Sequence, residues 1–185
     1  MAVDASVLSA LGLGGNLGDV TTSFITALGR LREAPGVRAL RASSVYRTPP
    51  WGKLDQPDFL NMAALIETVL PPRDLLALCL DIERGMGRLR LERWGPRTLD
   101  IDILTYGDTR VDEPDLTIPH PRIGERAFVL APLAEIAPEL AIAGRTVAAL
   151  LAGADGAGVR VDPQATARVQ AARTSNHSPA TPPKA

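Results

Sequence analysis

Between Leu99 and Leu104 the chain reads Leu-Asp-Ile-Asp-Ile-Leu, alternating apolar and acidic before turning fully apolar, the pattern of a β-strand. Side chains two apart on a strand share a face. Leu99, Ile101 and Ile103 therefore enter a core, and Asp100 and Asp102 project together from the opposite surface. The sheet to which this strand belongs must be dry on one side and able to carry charge on the other.

The segments upstream supply the remaining layers. Val7 to Leu13 is an apolar run closing on Gly14-Gly15-Asn16-Leu17-Gly18, a buried strand leaving through a glycine turn. Asp19 is placed to cap a helix in which Phe24, Ala27, Leu28 and Leu31 recur at helical spacing until Pro35-Gly36 stops it. Val37 to Arg47 reads as a strand ending at Thr48-Pro49-Pro50. Phe59 to Leu70 is expected to be a strand, bracketed by Pro57 and Pro71-Pro72, although Asn61-Met62-Ala63-Ala64 also suits a helix. Pro72 to Arg84 has proline in its first turn and one apolar stripe of Leu75, Leu76, Cys79 and Ile82, which predicts a second helix. Phe128 to Ile136, with Pro132 inside it, begins another helix or an edge element. The order β-α-β-β-α-β is the ferredoxin-like α+β pattern, an antiparallel sheet with helices packed on it.

Composition sets limits on that picture. With 185 residues and 45% apolar content, one domain with a real core is expected, over residues 5–152. From Gly153 onward the chain is rich in Gly, Ala, Ser, Thr and Pro, and residues 153–185 are expected to form a flexible tail that buries too little to offset its ordering entropy. A formal net charge of −1 argues against a surface devoted to nucleic acid or anionic membrane. One cysteine, Cys79, excludes an internal disulfide framework. No apolar run reaches the ~18 residues of a membrane span, and the first residues carry Asp4 without Lys or Arg, so no secretory signal is expected. A cytoplasmic setting is the default expectation.

Charge is unevenly spread. Five arginines (84, 88, 90, 93 and 97) and a single acid, Glu92, lie between Arg84 and Arg97. Arginine suits phosphate because its planar fork of donors matches phosphate oxygens. The usual phosphate loops are missing, since neither lysine has a Walker A context and Gly12-Leu13-Gly14 meets Leu17 where a dinucleotide fingerprint needs glycine. Asp100 and Asp102 are the alternative device. Two carboxylates on a rigid strand suit a hard cation, and Mg²⁺ takes one or two protein carboxylates together with phosphate oxygens. Taken alone, D-x-D is most often a solvated strand face. Beside Arg93, Trp94 and Arg97 it reads as a polyphosphate site. Trp94 either closes over a flat ligand or anchors its loop. His120, stiffened between Pro119 and Pro121, is either a structural hydrogen-bonder or a donor to a phosphate oxygen.

Arg47-Thr-Pro-Pro50, Asp55-Gln-Pro-Asp-Phe-Leu-Asn61, Arg93-Trp-Gly-Pro-Arg-Thr-Leu-Asp-Ile-Asp102 and Pro119-His120 resemble the hydroxymethyl-dihydropterin pyrophosphokinase family of folate biosynthesis, from about Val7 to Leu151. The resemblance implies a ferredoxin-like fold and transfer of pyrophosphate from ATP to a pterin alcohol. It implies that Asp100 and Asp102 hold two Mg²⁺ ions, and that Arg88 and Arg97 act with them in the transfer. Glu83, Arg90, Arg93, Trp94, Ile103, Thr117, His120 and Arg126 would serve ATP. Phe59 and Phe128 would sandwich the pterin, with Thr48, Pro49, Trp51 and Asn61 around its polar edge. Three departures from the family pattern are Gly15, where serine is usual, a loop between Arg90 and Arg93 that is short relative to some members, and Asp115, where some relatives have a basic residue. The implied partners are small molecules, with no nucleic acid and no membrane, and the chain is expected to be a monomer. An RNA-binding sheet and a catalytically silent scaffold are the competing readings.

Overall fold

The computed structural model describes residues 5–50, 55–87 and 96–175. In chain order the elements are β1 (Val7–Gly15), α1 (Val20–Glu33), β2 (Val37–Ala42), β3 (Tyr46–Thr48), β4 (Phe59–Thr68), α2 (Pro72–Gly85) and β5 (Asp100–Tyr106). They continue with the hairpin β6 (Val111–Glu113) and β7 (Leu116–Ile118), a 3-10 turn at Ile123–Glu125 and α3 (Ala127–Ile136). A small hairpin, β8 (Ala141–Ile142) with β9 (Arg145–Thr146), leads to α4 (Val147–Ala152), β10 (Arg160–Val161) and α5 (Pro163–Ser175).

The main sheet runs β10-β3-β4-β1-β5, with β2 also on β4, and every pairing is antiparallel. The helix start expected at Asp19 is present: its carboxylate accepts from Thr22 N at 3.1 Å, satisfying one of the orphan donors of the first turn. The ion pair with Arg168, followed by the Thr22 amide, holds the Asp19 carboxyl far below the usual carboxylate range. Phe59–Thr68 is a strand, which settles the ambiguity around Asn61-Met62-Ala63-Ala64.

Alternation along the strands sorts two cores. On one face Leu11, Leu13, Met62, Ile66, Ile101 and Ile103 pack against Phe24, Leu28 and Leu31 of α1 and Leu75, Cys79 and Ile82 of α2. Burying each large apolar side chain contributes about 1.5–3 kcal/mol relative to exposure. On the other face Ala10, Ala63, Leu65 and Leu104 meet Leu130 and Leu133 of α3 and Val147 and Leu150 of α4. This second core is smaller and covers only part of its face.

Two expectations need correction, and one open alternative is decided. The strand expected over Val37–Arg47 is broken into β2 and β3 at Ser43, whose hydroxyl accepts from Ala63 N (3.0 Å) and donates to Ser44 O (2.7 Å). The 128–136 segment is a helix, and Pro132 is tolerated inside it at the expense of one helical hydrogen bond. The described part of the region expected to be a flexible tail, residues 153–175, instead adds β10 to the sheet edge and packs α5 on the first core through Ala165 and Val169. Long-range partners stabilise it where its own apolar content does not: Asp162 N bonds Val45 O (2.8 Å), and Thr166 Oγ1 accepts from Val45 N (2.9 Å). Among the described residues no helix is long and apolar enough to cross a membrane.

Candidate active site

The uncovered part of the second face is a trough whose floor is glycine. In the β-register Gly14 lies between Asn61 and Asp100, and Gly12 lies between Ala63 and Asp102. A Cβ on Gly14 would stand 2.9 Å from Asn61 Oδ1, and one on Gly15 would stand 2.6 Å from Thr98 O. Side chains there would fill the hollow or push the incoming chain away. The hollow is a cavity of ≈ 290 Å³ walled by Thr48, Pro49, Phe59 and Asn61 on the β3–β4 side, and by Asp100, Asp102, His120, Arg126 and Phe128 on the other.

The acid pair projects into this cavity from β5 while Ile101 and Ile103 are buried on the reverse face, as the alternation predicted. Arg97 Nη1 donates to Asp100 Oδ2 at 2.6 Å. Arg97 is itself fixed by Asn16: its backbone N donates to Asn16 Oδ1 (3.0 Å), and its carbonyl accepts from Asn16 N (2.9 Å). Asn16 Nδ2 reaches Gln56 Oε1 and Pro57 O, so one buried amide ties the β1 turn to both walls. The sequence marked Asn16 only as part of a turn; its seat after two glycines was the available signal. Arg97 Nε and Thr98 Oγ1 are buried with no hydrogen-bond partner among the described residues. A buried donor left unpaired costs about 1–3 kcal/mol, which an anion bound at Arg97 would recover.

Two cations sit over two rings. The Arg97 guanidinium carbon lies 5.5 Å from the Phe59 centroid, and that of Arg126 lies 5.7 Å from the Phe128 centroid. Burial pulls the Arg126 guanidinium below its ordinary range, opposed most by Asp102. Burial, then Arg126, lowers the His120 imidazole below 6.5. His120 Nδ1 accepts from Arg122 N at 3.2 Å, which assigns the proton of the neutral ring to Nε2. A ring in that tautomer is a donor. Its backbone is pinned by His120 N to Leu104 O at 2.9 Å, just after the cis Ile118-Pro119 bond.

On the opposite wall Asn61 Nδ2 donates to Thr48 Oγ1 at 2.9 Å, and both side chains are buried. Three expected residues fall outside the cavity lining. The Ile103 side chain belongs to the first core. Thr117 lies in the β6–β7 hairpin opposite Asp112, a hairpin tethered by Arg73 to Glu113 and, at 2.7 Å, to Asp115. Glu83 is buried, and its Oε1 accepts from Ile101 N at 2.7 Å, satisfying a backbone donor on the outer edge of β5. Arg88, Arg90, Arg93, Trp94 and Trp51 lie outside the described residues.

The donor set fits a hard cation that arrives with its own oxygens. Among the described residues no cluster of three or more metal-binding side chains exists. Two carboxylates on one strand face are what Mg²⁺ uses when phosphate supplies the rest.

The model of the 7,8-dihydro-6-hydroxymethylpterin-pyrophosphokinase family matches residues 10–138. The chain belongs to this family. It is similar to the 2-amino-4-hydroxy-6-hydroxymethyldihydropteridine pyrophosphokinase of Methylorubrum extorquens, with 50% identity over 149 residues, 80% of this chain and 94% of the relative. The enzyme of the same name from Bacillus subtilis is 45% identical over 133 residues, 72% of this chain and 80% of the relative. Among solved structures, Plasmodium falciparum HPPK-DHPS A437G with SDX-DHP superposes with a TM-score of 0.65 at 18% identity, over 82% of this chain and 46% of the longer chain. That likeness speaks to the fold, an antiparallel sheet with helices packed on it. The chain spans less than half of the Plasmodium protein.

Proposed function

We propose that this protein transfers the pyrophosphoryl group of ATP to the hydroxymethyl oxygen of 6-hydroxymethyl-7,8-dihydropterin, releasing AMP, a step of folate biosynthesis. The observation that carries this reading is the meeting, in one cavity, of a carboxylate pair, the cations Arg97 and Arg126 with His120, and two phenylalanines with Asn61. Family membership supplies the reaction.

Phe59 and Phe128 bind the pterin ring by its faces. Asn61, oriented by Thr48, and the backbone near Pro49 and Trp51 read its polar edge. Asp100 and Asp102 would hold two Mg²⁺ ions, which supply charge neutralisation and alignment of the triphosphate when bound. Arg97 and Arg126 oppose the negative charge that develops as the bridging oxygen leaves, the main lever in phosphoryl chemistry. His120 Nε2–H donates to a phosphate oxygen. Arg88, Arg90, Arg93 and Trp94 complete the nucleotide side, with Glu83, Ile103 and Thr117 in supporting positions, Glu83 holding the β5 edge.

The strand order β3-β4-β1-β5, antiparallel throughout, supports a ferredoxin-like assignment. We further read the protein as a cytoplasmic monomer acting on small molecules. Its exposed large apolar side chains among the described residues, Leu8, Leu17 and Val161, are scattered singly, without the contiguous patch an obligate interface requires. An RNA-binding sheet is disfavoured because helices cover both faces outside the cavity.

Nucleotide product analysis tests the reading. With ATP, Mg²⁺ and the reduced pterin alcohol, AMP is expected in equal amount to a pyrophosphorylated pterin and only when the pterin is present. ADP would indicate an ordinary kinase, and no product with no pterin binding would favour a silent scaffold.

A further inference from the structure

The segment after residue 138, where the family match ends, touches the cavity wall at several points that the proposed reaction does not explain. β10 pairs with β3, Arg160 opposite Arg47 and Val161 opposite Tyr46. β3 is three residues long and ends at Thr48, whose hydroxyl orients Asn61. Arg47 donates from Nε (3.0 Å) and Nη2 (2.6 Å) to Asp162 Oδ2. The other carboxylate oxygen, Oδ1, accepts from Ala165 N at 2.9 Å, so Asp162 joins the start of α5 to the back of β3. Arg160 pairs with Asp58 at 3.6 Å, the residue before Phe59. Gly158, at φ +77°, backs directly onto Pro49: a Cβ there would stand 2.7 Å from Pro49 Cγ and 2.8 Å from Cδ.

We propose that β10 and the first turn of α5 form a strap that sets the pterin-side wall of the site, with Asp162 as a positioning residue acting through Arg47 and Gly158 as the spacer behind Pro49. The inference rests on the reading of Phe59, Asn61, Thr48 and Pro49 as the pterin half. A three-residue strand held by β4 alone would have one free edge. With β10 on that edge and the Arg47–Asp162 pair behind it, Thr48 and Pro49 have no room to retreat from the ligand. Asp162 and Gly158 touch no reacting atom, and their contacts are with Arg47 and Pro49 on the β3 side and not with the acid pair on β5, so their influence falls on the pterin more than on ATP.

Three variants test the strap. Gly158→Ala forces Pro49 toward the cavity. Gly144→Ala is its control, because Gly144 has a similar φ of +80° with nothing within 4 Å of a Cβ, giving the same backbone strain without the contact. Asp162→Asn weakens the Arg47 pair while keeping an oxygen for the Ala165 amide. For Gly158→Ala and Asp162→Asn the KM for the pterin is expected to rise by about five- to twentyfold, with the KM for ATP within about twofold, since small misplacements of positioning groups have effects of this size. In Asp162→Asn the amides of β3 should also exchange faster with solvent while those of β1 do not. A purely structural role would lower thermal stability in all three variants and leave the two KM values in their wild-type ratio; that result, or unchanged β3 exchange, overturns the strap. If the wild-type protein makes no AMP, the functional reading fails separately, and the exchange rates still decide whether Asp162 fixes the wall.

Discussion

On the face carrying α1, α2 and α5, strands β1, β4 and β5 present Leu11, Leu13, Met62, Ile66, Ile101 and Ile103. On the face carrying α3 and α4, the same strands present Gly12, Gly14, Asn61, Asp100 and Asp102 over part of their length. The first face buries apolar area and makes the molecule stable. The second gives up part of its core: glycines leave its floor without side chains, and Asp100 and Asp102 put charge on its rim, as the proposed binding of a flat ring and a phosphate chain requires. Adjacent residues on one strand thus differ in what they face: one packs in the core, and the next points into the cavity.

Neighbours on β5 offer the sharpest way to break this contrast. Asp102→Ala is expected to reduce Mg²⁺-dependent turnover by about a thousandfold or more, the scale of losing several kcal/mol of charge stabilisation, with circular dichroism and melting close to wild type. Normal turnover in the folded variant would remove the acid pair from the chemistry. Ile101→Ala, one residue away and buried in the first core, should do the reverse, costing about 2–4 kcal/mol in urea unfolding while both KM values hold at temperatures where the variant is folded. An unchanged unfolding midpoint would mean that the first face is not packed as described.

A smaller effect should come from His120. Folding keeps its imidazole neutral below its ordinary 6.5, so as pH falls through that value the unfolded chain gains a proton that the folded chain does not. Stability should therefore decline with falling pH in the window below about 6.5. His120→Gln should flatten that slope, and an identical slope in the variant would assign it to other groups. The least effect of all is expected at Cys79. Burial, with the charges of Glu83 and Asp102, pushes its thiol up to about 12, so alkylation at about pH 8 should be undetectable in the native protein and rapid in denaturant. Native labelling would show that the first core opens.

Much of this contrast was legible in the chain because it is local. Period-two alternation from Leu99 to Leu104 assigned each β5 residue to a face, Asp19 announced the start of α1, and the Arg93–Asp102 run carried the family likeness. The sequence did not assign Asn16 its place as the joint between Arg97 and the Gln56-Pro57 segment, since the three bonds that define it span 40 or more residues. Nor did it separate β2 from β3, because the break depends on Ser43 meeting Ala63 across the sheet.

The segment after Gly153 marks the boundary most clearly. Its alanines, threonines and arginines have no apolar stripe wide enough to predict a docked helix, and taken alone it cannot offset the entropy of ordering. In the fold, Asp162 finds Arg47, Thr166 finds Val45 and Arg168 finds Asp19, and Ala165 and Val169 close over the first core. What the sequence determined by itself was the alternation that divides core from chemistry, because neighbouring side chains fix it. Only the tertiary structure decided which distant surfaces would complete a weakly apolar helix, because that stability resides in the partners and not in the helix.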